Sequence, residues 1–129
     1  MTPLGREWVR KAEFDRRAAV TLRSRRPVVH NVVCFLCQQY AEKYLKALLH
    51  ESGQPVRRTN DCEAIVLRLT AFDPTIGQFI PAAAGLNRFA VDPRYPGYQP
   101  TAAESRSAWN AAESIRAEVR RRLGLRPRP

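Results

Sequence analysis

Histidine and lysine are scarce in this chain of 129 residues, and each scarcity removes a class of chemistry. Histidine occurs only at His30 and His50, so the second half of the chain has no imidazole to move a proton near neutral pH. Lysine occurs only at Lys11, Lys43 and Lys46, so nearly all of the 22 basic residues are arginine. There are three cysteines, an odd number for a disulfide framework. With nothing at the N-terminus resembling an export signal, they are expected to be reduced thiols of a cytoplasmic protein. Cys34 and Cys37 have the spacing of half a zinc site, but only Cys62 and two distant histidines could complete a closed four-ligand set. The expectation is buried inert thiols, no metal and no cofactor. No apolar run approaches the roughly 20 residues needed to cross a bilayer, so no membrane partner is expected. There is also no alternating strand pattern and no internal repeat.

What the chain does have is positive charge and helical periodicity. The net charge is +10. Arginine carries it as planar forks of donors that match phosphate oxygens, which a lysine ammonium does not. Such a field raises encounter rates with nucleotides, RNA or an acidic protein.

The stretch Val33–His50 contains no glycine or proline and is rich in Ala, Leu, Glu, Lys and Gln, so it predicts a helix of four to five turns. At about 100° per residue, Val33, Cys34, Cys37, Ala41, Tyr44, Leu45 and Leu48 share one side. Gln39, Glu42, Lys43, Lys46 and His50 form a narrow stripe on the other, with Glu42 and Lys46 spaced as an exposed helical pair. Leu36, Tyr40 and Ala47 lie on the flank, so the apolar arc is wide enough to touch more than one neighbour.

Residues from about Arg6 to Ser24 read as a first helix. Trp8, Ala12, Ala19 and Leu22 repeat at helical spacing, and Asp15 lies in the same stripe, where a carboxylate needs a partner. Ser52-Gly53-Gln54-Pro55 stops the second helix. Thr59 or Asp61 caps a short third helix running to about Phe72, and Asp73-Pro74 starts a fourth, interrupted at Pro81 and resuming to about Phe89. Residues 90–100 read as a loop. Thr101 and Glu104 form a capping box for a last helix with Trp109, Ala112, Ile115, Val119 and Leu123 inside, closed by Gly124. Residues 1–125 thus predict one all-α domain, an antiparallel up-and-down bundle of four to five helices, followed by a disordered basic tail at 126–129.

Phe35-Leu36-Cys37-Gln38-Gln39-Tyr40-Ala41-Glu42-Lys43-Tyr44-Leu45-Lys46-Ala47 resembles the signature helix of the HEPN domain family, F-x-x-Q-Q-x-A-E-K-x-L-K-A. Arg58-Thr59-Asn60-Asp61 is similar to that family's R-T-H-D segment. Leu86-Asn87-Arg88-Phe89 and Arg94-Tyr95-Pro96 are similar to its L-N-R-Y and R-Y-P segments, in the same order. The resemblance runs from Trp8 to about Leu123. It implies a small stand-alone domain that forms a homodimer and engages nucleotide or RNA phosphate. It further implies a separately encoded minimal nucleotidyltransferase as partner, in the manner of a toxin–antitoxin pair.

The resemblance places phosphate contacts at Gln39, Lys43, Lys46, Asn87, Arg88, Arg94 and Tyr95, with Asp15 and Glu42 in a supporting polar network. The late arginines are expected to face the stripe of the second helix across a cleft. Many relatives are metal-independent ribonucleases with Arg-x(4–6)-His at the start of a late helix. Here neither Arg88 nor Arg94 is followed by a histidine, and Asn60 stands where the R-T-H-D segment has one. The enzyme alternative uses Arg25 or Arg23 with His30, which have the right spacing between the first two helices instead. A third reading is an adaptor for an acidic protein.

Overall fold

Two helices of 22 residues each, α1 (Pro3–Ser24) and α2 (His30–Glu51), lie antiparallel and tie the start of one to the end of the other. Thr2 caps α1 by accepting from the Gly5 N–H at 3.0 Å, and its hydroxyl donates to Glu51 Oε2 at 2.7 Å. Gly5 is required by this closeness: a Cβ there would stand 2.4 Å from Glu51 Oε2. The computed structural model describes residues 1–129 and contains no strand. After α2 come α3 (Cys62–Leu69), a 3-10 turn (Pro74–Phe79), α4 (Ile80–Leu86), two shorter 3-10 turns and α5 (Ala102–Arg122).

The direction of each rod follows from its cross-links. Arg16 pairs with Glu113 and Glu13 with Arg116, so α5 runs against α1. Tyr40 bonds to Glu113 and Tyr44 to Arg120, so α5 runs along α2. The extended connector 52–61 makes the return, bringing the Asn60 carbonyl back to Gln38 at 2.9 Å. α3 and α4 are antiparallel, since Asn87 at the end of α4 bonds Cys62 at the start of α3.

α2 is central. Its residues Val33, Cys37, Tyr40, Ala41, Tyr44, Leu45, Ala47 and Leu49 are all buried, meeting Ala12 and Ala19 of α1, Ile65 of α3, Leu86 of α4 and Ile115 of α5 in one core. That explains its wide apolar arc: the helix has neighbours on several sides rather than one. Tyr40 and Ala47, expected on the flank, are fully covered.

The caps follow the sequence. Asp61, not Thr59, caps α3 by accepting from the Ala64 N–H at 2.9 Å. Thr101 and Glu104 form the reciprocal capping box on α5. Gly53 closes α2 at φ 81°, where a side chain would be strained. The helical run that Asp73 and Pro74 start does change at Pro81: the 3-10 turn ends at Phe79, and Pro81 lies in the first turn of α4, where its missing N–H would have had no intrahelical partner. Residues 126–129 lie against α5, where the Arg126 carbonyl accepts from Arg120 and the Arg128 carbonyl from Arg116.

Candidate phosphate-binding surface

The stripe on α2 is buried at Glu42 and Lys46 and half-buried at Gln39, Lys43 and His50, not an exposed face. Lys46 Nζ donates to Glu42 Oε1 at 2.6 Å, with both side chains only 8% exposed. This corrects the expectation of a solvated pair: Trp8 of α1 covers the ammonium, its ring centroid 5.6 Å away. Glu42 Oε2 accepts from Gln38 Nε2 at 3.1 Å, and Gln39 Nε2 donates to Gln38 Oε1 at 2.6 Å. Gln38 also donates to the Asn60 carbonyl and reaches Cys62 Sγ at 3.7 Å. Asn60, standing where the family's motif has histidine, thus contributes its backbone to this chain. Lys43, one position round the helix, donates to Asp15 Oδ2. Asp15 therefore has a partner from α2.

The residues contributed from late in the chain divide into two groups. Asn87 is spent on packing: its Oδ1 accepts from the Cys62 N–H at 2.8 Å and its Nδ2 donates to Asp61 at 2.8 Å. Arg88 turns to carboxylates of its own neighbourhood, 3.4 Å from Glu104 and 3.6 Å from Asp92, and lies over the Phe89 and Tyr98 rings. Its ion pairs are with Asp92 and Glu104, not with Glu42. Arg94 and Tyr95 differ. Arg94 is exposed, makes no ion pair, and sits 5.7 Å from the Phe35 ring centroid. Phe35 occupies the same face of α2 as Gln39, one turn before it. Tyr95, next to Arg94, is 61% exposed.

The junction of α1 and α2 holds the other candidates. Arg23, Arg26 and His30 wall a cavity of about 400 Å³ together with Ser105 and Arg106 from the first turns of α5. Arg25 does not line it; this residue is the C-cap of α1. Arg23 and His30, spaced as in the enzyme alternative, therefore share one site. Arg26 and Arg106 were not legible as part of it, because the sequence does not announce that α5 begins beside α2.

All three cysteines are free and buried. Burial pushes the thiols of Cys37 and Cys62 up to about 12 and that of Cys34 up to about 11. No group of three or more His, Cys, Asp or Glu residues is placed to hold a metal ion. No helix is long and apolar enough to cross a membrane.

These features define a small all-helical domain whose central helix carries an amide–carboxylate–ammonium chain and whose cations are presented at its N-terminal end. The family model of the HEPN domain matches residues 6–122, and the chain belongs to that family. The fold is similar to the crystal structure of TT1696 from Thermus thermophilus, with a TM-score of 0.80 and 24% sequence identity, covering 93% of this chain and 98% of that one. Comparison with curated proteins gives no match. Membership supports a nucleotide- or RNA-related module in general terms.

Proposed function

We propose that this chain is a HEPN module that engages nucleotide or RNA phosphate without chemistry of its own. It acts as a cytoplasmic homodimer and partners a separately encoded minimal nucleotidyltransferase in a toxin–antitoxin-like pair. The observation that supports the binding role is Arg94. Among the late arginines at motif positions, Arg88 has two carboxylates beside it and Arg94 has none. A guanidinium resting on the Phe35 ring keeps its edge donors free for phosphate, and the exposed Tyr95 ring beside it can stack on a base. Dimer and partner are part of this reading as expectations from the resemblance of the motifs, with no contact in this chain behind them.

The test is binding of a short single-stranded RNA at several salt concentrations, with Arg94→Ala beside the parent protein. Loss of affinity with Arg94→Ala supports the reading; equal affinity and equal salt dependence of the two proteins reject it. Co-expression with a candidate nucleotidyltransferase followed by size-exclusion chromatography tests the partner, and light scattering tests the dimer.

One observation favours the ribonuclease alternative, namely that Arg23 and His30 wall the same cavity. The remaining polar side chains there are a serine hydroxyl and two further guanidiniums, so His30 is the one side chain of the cavity of a type that serves as general acid or base. Cleavage of RNA in EDTA that disappears with His30→Ala would establish the enzyme instead.

A further inference from the structure

We infer that the cavity between the α1–α2 junction and the start of α5 is a binding site for a terminal phosphate group, as on inorganic phosphate or a nucleoside monophosphate. It is separate from the Arg94 surface and does not depend on it: His30 lies at the same end of α2 as Phe35 but roughly 140° around the helix.

The charge balance makes the first argument. Five of the chain's arginines are paired with carboxylates. Arg16 holds Glu113, Arg116 holds Glu13, Arg88 lies between Asp92 and Glu104, and Arg121 and Arg122 share Glu118. Arg23, Arg26 and Arg106 instead converge on a space that no acidic residue lines. Three like charges around one cavity repel one another, and an anion between them removes that cost.

The donors are also free. The Arg23 guanidinium stacks on the Trp109 ring, its carbon 4.1 Å from the centroid. Stacking uses the face of the guanidinium and leaves its N–H edge available. Arg26 donates from one terminal nitrogen to the Arg23 and Arg25 carbonyls, which holds it over the junction with its other donors unspent. His30 lines the cavity beside these guanidiniums. His30 is also the first residue of α2, and Val29 before it provides no side-chain cap, so the first-turn N–H groups at this edge have no acceptor from the cap.

The shape decides the ligand. A volume of about 400 Å³ exceeds a bare phosphate and accommodates a mononucleotide. No aromatic residue lines the cavity, so nothing there selects a base. Recognition rests on the phosphate group, which three guanidiniums and an imidazole can surround with charge-assisted bonds.

The experiment is calorimetric titration of the full chain with inorganic phosphate, AMP and adenosine at low salt. It is paired with NMR observation of the His30 imidazole, assignable because His50→Gln removes the other histidine. Saturable one-to-one binding of phosphate and AMP but not adenosine, shifting the His30 ring signals, is the expected result. Tighter binding of AMP identifies a nucleotide as the source, and equal affinities identify the phosphate group alone; both support the site. Arg106→Ala and His30→Gln should each weaken binding about tenfold or more. Arg106 is exposed, so its replacement leaves the fold intact by circular dichroism. Binding that survives both substitutions, or that Arg94→Ala abolishes, overturns the inference, as does the absence of saturable binding. Loss of RNA binding through Arg94 alone would leave this site standing, so the two proposals fail separately.

Discussion

The Nε of Arg116 on α5 donates to Glu13 Oε2 on α1 at 2.8 Å, with the arginine side chain 5% exposed. The Tyr44 hydroxyl of α2 donates to the same oxygen, so one carboxylate joins the three long helices. An equivalent knot forms nearby: Glu113 accepts from Arg16 of α1 at 2.8 Å and from the Tyr40 hydroxyl of α2 at 2.8 Å. Burial by itself would raise the pKa of both carboxylates. The guanidinium and phenol donors outweigh it, and both lie below the usual glutamate value.

Acid stability follows from that direction. A carboxylate whose folded pKa is depressed contributes stability that is present above its unfolded value and lost as pH falls through its folded one. With a reference value of 4.5 for glutamate, unfolding free energy should hold steady from neutral pH to about 5 and fall steeply below 4.5. Urea titrations across pH 3–7 measure it. Glu13→Gln leaves Arg116 covered without its anion and should cost about 2–3 kcal/mol at pH 7, with Glu13's share of the acid sensitivity removed and that of Glu113 retained. An unchanged pH slope in Glu13→Gln would show that the stabilisation lies elsewhere.

The buried Glu42–Lys46 pair gives a different test. Removing one partner strands the other in a covered site, which costs about 3 kcal/mol. Glu42→Ala should therefore destabilise strongly, and Lys46→Met, which fills the same space without a charge, should restore part of the loss when added. A double-mutant cycle by chemical denaturation reads the coupling. Additive effects would mean that Lys46 is held by Trp8 and solvent, not by Glu42.

The thiols should be silent in the native protein. With the pKa of Cys34 at about 11 and those of Cys37 and Cys62 at about 12, almost no thiolate exists at pH 7.5, and all three sulfurs are buried. A thiol reagent such as DTNB should label none of them over minutes in buffer and all three in guanidinium. Rapid labelling of the native chain would expose a reactive cysteine that the packing does not account for.

The rods and their caps were legible because the signals are local. Thr101 with Glu104, Asp73 before Pro74 and Gly53 after α2 each act within one turn of chain. The Glu42–Lys46 pair was misjudged because local spacing cannot reveal that Trp8, more than thirty residues earlier, covers it. That Asp15 needs a partner was legible, and two amphipathic helices joined by a short turn bring Lys43 of α2 to it. The partners of Arg88 were not legible, since its choice of Glu104 depends on where the loop after α4 meets α5. Arg106 carries no motif at all. Only the parallel placement of α5 beside α2 brings it to Arg23 and His30.

Arg94 and Arg88 separate structural from binding arginines within one short segment. Arg88 has two carboxylates within 3.6 Å, so its contribution to a bound strand is already offset. Arg94 has none and should contribute a full phosphate contact. Each neutralised phosphate on a single strand adds about 0.7 to the slope of log affinity against log salt. Arg94→Ala should therefore weaken binding of a short RNA about fivefold at low salt and flatten that slope by about 0.7. Arg88→Ala should change the slope by less than half as much and instead lower the melting temperature slightly, because it leaves Glu104 and Asp92 facing each other. Fluorescence anisotropy over a salt series distinguishes the two, and a larger slope change for Arg88 than for Arg94 would reverse their assignment.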